Sequence, residues 1–363
     1  MYISEVSGHH SATIAIEKAI KSLSCDSEVL NINAFNFTNP ITEKIVNRLY
    51  MGVIKRTPKL WDYLYDNPRV VKKLENIKDA IHKFNSPKLK KLFDRFKPDV
   101  VACAQAFPCG MVADYKKTYQ ANLPLVAVLT DYIPHAYWIY DPVDYYIAPS
   151  EEVKERLMER GVAEGKIKIF GIPFAHDFNG SGERRPIAAR LGLDPDIFTI
   201  LIMGGGQGLG PIKTVVRSLE KLKVPLQEII VTGINKKLYR ALKPRVKKSR
   251  HRICLYGYVN NINELMEASD VIITKPGGIT TAEALCKNLP MIIIRPIPGQ
   301  EMNNTLYLTK KQAAIKIDRP QDTAPLIAEL VSSPEKIKEM RQASLNIAKP
   351  RASLDIAALL LNC

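Results

Sequence analysis

Two adjacent histidines, His9 and His10, follow Gly8 in the run Ser7-Gly8-His9-His10-Ser11, just ahead of a helix-like stretch over 13–23. An imidazole titrates near neutrality and can take a proton from an attacking hydroxyl. A strand-to-helix turn also places such a ring at the ligand-facing edge of a doubly wound sheet. Asp131, in Leu129-Thr130-Asp131-Tyr132, ends another apolar run and is expected to orient that histidine or to accept a proton. His135 and His176 lack this setting and read as surface or satisfied polar residues.

Two glycine clusters suit a different task. Gly204-Gly205-Gly206-Gln207-Gly208-Leu209-Gly210 follows an apolar run and precedes a helical stretch beginning near Ile212. Glycines there let backbone N–H groups and a helix N-terminus approach a diphosphate without Cβ obstruction. The spacing is neither GxGxxG nor GK[ST], so dinucleotide and P-loop readings lose ground. Thr274-Lys275-Pro276-Gly277-Gly278-Ile279-Thr280-Thr281-Ala282-Glu283 repeats the arrangement. Glu283 is expected in the first turn of the following helix, where it would accept from a ribose diol or simply cap the helix. Pro298-Gly299-Gln300-Glu301-Met302-Asn303-Asn304 reads as a polar loop after a buried strand, its amides and carboxylates suited to sugar hydroxyls. Asp194-Pro195-Asp196 matches a metal-binding DxD only superficially and reads as a proline turn, so no metal site is expected.

These groups must be held by α/β architecture. Short apolar runs such as Val100–Cys103, Leu125–Leu129, Thr199–Met203, Val271–Thr274 and Met291–Ile294 recur between charged stretches of helical period. One such stretch is 151–161, with Ser150 as its N-cap and Gly161 at its end. Continuously apolar strands alternating with helices predict parallel sheets covered on both faces. A chain of 363 residues exceeds what one core supports, and the turn-rich charged stretch 179–186 marks the join. The expected division is 1–174, which holds the Gly-His turn, then 175–349, which holds both glycine clusters, and a helix from 350 to 363 packing back on the first domain.

Composition narrows the partners. The six cysteines show no CxxC pair or metal-ligand spacing and read as reduced thiols. No run approaches the roughly 20 apolar residues of a spanning helix, and Met1 to Glu5 show no secretory pattern, so a cytoplasmic location is expected. The net charge of +15 implies an anionic partner. Residues 39–98 carry 15 Lys and Arg against 6 Asp and Glu, interleaved with apolar and aromatic groups. Lys55, Arg56, Lys59, Trp61, Lys72 and Lys73 are therefore expected to dock the protein peripherally on an anionic membrane.

Taken together and in order, Gly8-His9, Gly204 to Gly208, Lys275 to Gly278 with Glu283, and Gly299-Gln300-Glu301 with Asn304 resemble the monogalactosyldiacylglycerol synthase and diacylglycerol glucosyltransferase family. That family is related to the peptidoglycan glycosyltransferase that makes lipid II. The resemblance spans nearly the whole chain. It implies a GT-B fold, with two Rossmann-like domains facing a cleft, and metal-free, inverting transfer of a hexose from a uridine-diphosphate sugar to diacylglycerol or a related glycolipid.

By the same resemblance His9 is the catalytic base, and Gly205, Gly206 and Gln207 form the diphosphate loop. Gly8, Lys275, Gly277, Gly278 and Thr280 belong to the donor site, Glu283 binds the ribose, and Gln300, Glu301 and Asn304 contact the sugar. The backbone near Tyr258-Val259-Asn260 receives the uracil. The chain departs from the family's pattern at its start, where only Met1 to Val6 precede the Gly-His turn instead of a full apolar strand. Rival readings are N-acetylglucosamine transfer to a polyprenyl-linked acceptor and a nucleotide-sugar epimerase. A basic nucleic-acid-binding protein is disfavoured, since no RNP-like, helix-turn-helix or zinc pattern accompanies the charge.

Overall fold

A computed structural model describes residues 1–3, 7–34, 37, 87–179 and 182–363. Lys55, Arg56, Lys59, Trp61, Lys72 and Lys73, on which the membrane expectation rests, lie outside the described residues. The chain divides into two compact units. One comprises Met1–His176, Ile297–Asn303 and Arg351–Cys363, the other Asp177–Pro296 and Asn304–Pro350.

In the first unit, helix α1 (Gly8–Leu23) precedes strand β1 (Val101–Cys103), helix α2 (Ala106–Tyr119), strands β2 (Leu125–Val128) and β3 (Tyr145–Ile147), helix α3 (Glu151–Glu159) and strand β4 (Ile167–Lys168). The four strands pair in parallel in the order β1-β2-β3-β4. All four residues of β2 are buried, as expected for a central parallel strand covered on both faces. One layer of the core is built from Leu125, Ala127 and Cys103 with α2, and another from Val126, Val128 and Ile147 with Ile16 and Ala19 of α1. Ile356, Ala357 and Leu360 of the C-terminal helix Ala352–Leu361 join the second layer. Ser150 occupies the N-cap of α3, but its buried hydroxyl makes no cap bond.

The short start of the chain is bonded on both sides. Met1 N donates to Ala102 O at 2.5 Å and Met1 O accepts from Ala104 N at 3.1 Å. On the other side, Tyr2 N donates to Ile32 O at 3.0 Å and Tyr2 O accepts from Ala34 N at 2.9 Å.

The second unit carries strands β5 (Thr199–Met203), β6 (Gln227–Val231), β7 (Arg252–Tyr256), β8 (Val271–Thr274), β9 (Met291–Ile294) and β10 (Ala314–Ile317). Helix α4 (Ile212–Leu219) follows β5, α5 (Lys236–Val246) follows β6, α6 (Gly278–Cys286) follows β8 and α7 (Gln300–Lys310) follows β9. All pairings are parallel, in the order β10-β9-β8-β5-β6-β7. The chain winds outward to one side from β5 and to the other from β8. The switch point of this doubly wound sheet therefore lies between these two strands, where ligands sit beyond the carboxyl ends. Among the described residues no helix is long and apolar enough to cross a membrane.

One residue of this sheet is out of character. Glu228, the second residue of β6, is fully buried between its register partners Ile200 and Ile253, and neither carboxyl oxygen has a hydrogen-bond partner. Burial, reinforced by the nearby charge of Glu220, pushes its carboxyl up to about 8.

Candidate active site

The candidate base stands at the carboxyl edge of the first sheet. Ser7 is the N-cap of α1, its Oγ accepting from His10 N at 3.2 Å, so Gly8 and His9 are the helix's first two residues. His9 is half-buried, and its Nδ1 lies 2.9 Å from Ala104 O, just past β1, and 3.0 Å from Thr130 Oγ1, just past β2. A carbonyl oxygen only accepts, so Nδ1 carries the proton and Nε2 presents its lone pair. Burial lowers the pKa below the ordinary 6.5, opposed by the bond to Ala104, which keeps the ring neutral and able to accept a proton at neutral pH. His10 instead stacks on Tyr2, with ring centroids 4.2 Å apart and planes 18° from parallel.

At Nδ1 the orienting role expected of Asp131 is taken by Ala104 and Thr130. The Asp131 carboxylate accepts from the side-chain amide of Gln300. Neither partner of Nδ1 was legible. A backbone carbonyl is the same group in every residue, and Thr130 looked like one more strand-end hydroxyl.

The candidate donor-binding residues stand at the switch point of the second sheet. The loop after β5 closes through Gly208 N to Gly205 O at 2.9 Å and Leu209 N to Gly204 O at 3.0 Å. It also packs on the turn after β6, with Ile234 N donating to Gly206 O at 2.9 Å and Asn235 Nδ2 to Gly208 O at 3.1 Å. A Cβ on Gly204 would sit 1.9 Å from Leu209 O, and one on Gly208, whose φ is +58°, 2.0 Å from Thr232 O. The glycines are thus required by backbone approach as well as by any ligand. The N–H groups of Gly205 and Gly206 have no partner among the described residues. The Lys275 side chain runs from beside Gly205, where a Cβ would lie 3.3 Å from its Cε, to beside Gly277, 3.9 Å from its Nζ. A cation therefore lies beside the open N–H groups of the loop after β5 and the start of α6, an arrangement suited to a diphosphate.

Glu283 lies deeper in α6 than expected. The helix begins at Gly278 directly after the extended cap Gly277, so Glu283 falls in the second turn and no acidic residue occupies the first. This removes both the dipole argument and the capping alternative. The Glu283 carboxyl is half-buried without a partner among the described residues, and burial pushes it up to about 8. Gly278 is buried, Thr280 is half-buried on the same helix, and Val259 is half-buried just past β7 beside Tyr258, which is 63% exposed.

The segment expected to be a polar loop is instead the first turn of α7, which runs from Gln300. Glu301 Oε2 reaches back to Ile297 N at 3.0 Å in the manner of a capping box, and fully buried Asn304 donates to Pro276 O at 2.9 Å. Asn304 thereby anchors the Lys275-Pro276-Gly277 turn. Asp194 and Asp196 form a turn, with Asp196 N donating to Asp194 Oδ1 at 2.9 Å and Asp196 paired with Arg185.

Replacing Glu283 with alanine is expected to weaken uridine-diphosphate binding by about 1.5 to 3 kcal/mol, the usual cost of losing a charged acceptor. The free carboxyl is mostly neutral at pH 7, and binding a diol to its ionised form expels a proton. The difference between wild type and Glu283→Ala should therefore widen as pH rises to about 8. Titration calorimetry across this range, giving equal dissociation constants for both proteins, would remove Glu283 from the site.

Comparison with known proteins places the chain in a family. Residues 9–174 match the monogalactosyldiacylglycerol (MGDG) synthase family and 199–357 the glycosyltransferase family 28 C-terminal domain. The processive diacylglycerol beta-glucosyltransferase of Bacillus licheniformis is 30% identical over 315 residues, covering 85% of this chain and 80% of the relative. Among solved structures, Acinetobacter baumannii MurG superposes with a TM-score of 0.59 at 14% identity, over 77% of this chain and 78% of that one. The S. aureus MnaA–UDP co-structure gives 0.57 at 16%, over 77% and 80%. These structural likenesses establish the GT-B fold.

Proposed function

The chain belongs to the family of monogalactosyldiacylglycerol synthases and processive diacylglycerol glucosyltransferases, and on that premise we propose that it moves a hexose from a uridine-diphosphate sugar to the hydroxyl of diacylglycerol or a related glycolipid. The observation carrying this reading is the 2.9 Å approach of His9 Nδ1 to Ala104 O, an atom that can only accept, which leaves Nε2 to act as base. The acceptor oxygen attacks the anomeric carbon and the bond to the diphosphate oxygen breaks. The hydroxyl proton passes to Nε2 as the attack proceeds. Charge growing on the diphosphate is met by the N–H groups of Gly205 and Gly206 and by Lys275, in the role a metal plays elsewhere. One displacement inverts the anomeric centre. The relative's name favours glucose over galactose. The reaction is assigned to the cytoplasmic face of the cell membrane, with the protein bound peripherally.

Incubation with diacylglycerol in neutral detergent micelles and each uridine-diphosphate sugar in turn, with and without a strong chelator, tests this. A lipid product heavier by one hexose, inverted at its anomeric centre and insensitive to chelation, is expected. Release of free sugar without a lipid product would indicate an epimerase instead. Transfer restored only by magnesium would overturn the metal-free mechanism.

A further inference from the structure

We propose that the outward face of α5, in the second unit, is a docking surface for an anionic phospholipid bilayer, separate in sequence from the basic segment 39–98. This rests on the reading that the acceptor is a membrane lipid. Between Lys236 and Arg252 the chain carries nine Lys and Arg and no Asp or Glu. Lys236, Arg240, Lys243 and Lys247 are all exposed, and their spacing of four, three and four residues lines them up on one stripe. None of the four has an acidic partner among the described residues. Exposed Lys248 and Arg250 continue the charge beyond the helix.

The opposite face is already satisfied. Leu242 is fully buried, Leu238 and Val246 pack on the sheet's core, and Arg245 is spent on Glu220 at 2.8 and 3.0 Å. The stripe is therefore not needed to hold the fold. Like charges three and four residues apart on a helix repel, so this face carries a cost that an opposing negative layer removes.

A stripe of about 16 Å suits a flat anionic surface. Ile234, one residue before the cap of α5 and 52% exposed, adds an apolar group where the charges begin. Basic residues beside an exposed apolar side chain match the charged and apolar layers of a bilayer surface. This helix carries a single aromatic ring, the half-buried Tyr239, and not the several exposed rings that stack bases, which disfavours a nucleic acid.

Sedimentation with phosphatidylcholine vesicles, with and without phosphatidylglycerol, tests the surface. The comparison is between wild type and the combined variant Lys236→Gln, Arg240→Gln, Lys243→Gln and Lys247→Gln. Wild-type binding should rise with phosphatidylglycerol and fall with salt. The variant should bind anionic vesicles at least about tenfold more weakly, while matching wild type on phosphatidylcholine alone and in uridine-diphosphate affinity. Equal partition of both proteins on anionic vesicles would overturn the proposal. So would wild-type preference for duplex nucleic acid over those vesicles, lost in the variant. Sugar transfer in neutral micelles is the separating measurement. If neither protein transfers sugar but the vesicle difference persists, the proposed reaction fails and the surface stands.

Discussion

His9→Ala should lower kcat by about two to four orders of magnitude while leaving uridine-diphosphate affinity nearly unchanged, because a general base acts on the proton in flight and not on the donor. The expected size follows from the geometry. Ala104 O and Thr130 Oγ1 fix the ring from the Nδ1 side, so the lost group is a positioned base and not a mobile imidazole. His10→Ala serves as the control, since His10 stacks on Tyr2 and should cost turnover little. In wild type the acid limb of the kcat profile should fall below pH 6.5, because burial lowers the pKa of His9. The limb should vanish in His9→Ala, whose residual rate should vary little with pH. A crippled His10→Ala beside a mild His9→Ala would reassign the base.

The second large effect concerns stability. Folding raises the Glu228 carboxyl from 4.5 to about 8, so below pH 4.5 it is neutral in both states and costs nothing extra. Between pH 4.5 and 8 the folded chain holds a proton that the unfolded chain releases, so stability falls as pH rises. Above pH 8 the loss is complete, about 5 kcal/mol at 1.36 kcal/mol per pH unit. Glu228→Gln keeps the shape and cannot ionise. It should unfold like wild type at pH 5 and, at pH 9, melt roughly 10 °C higher. Glu283, also raised to about 8, contributes equally to both proteins and cancels from the comparison. Parallel plots of melting temperature against pH for the two proteins would mean that Glu228 is ionised or solvated in the folded state.

The alternation of apolar runs with helical stretches was enough to specify two parallel α/β sheets, because a strand covered on both faces must be apolar throughout and its crossover must be helical. The ordered motifs were enough to place the chain in its family. Other features were fixed only in three dimensions. The acceptor that locks His9 is the carbonyl of Ala104, 95 residues away, and a carbonyl carries no mark of its neighbour in any sequence. Glu283 moved from the first turn of α6 to the second because helix boundaries are set by competing caps, which local pattern locates only to within a few residues. Gln300 to Asn304 looked like a loop because their composition is polar and follows a glycine. Helical hydrogen bonding, the reach of Glu301 back to Ile297 N and the tie from Asn304 to Pro276 O make them a helix start. The return of residues 297–303 to the first unit was likewise decided by packing. Periodicity and propensity act over a few residues, whereas these outcomes depend on which distant segments finally touch.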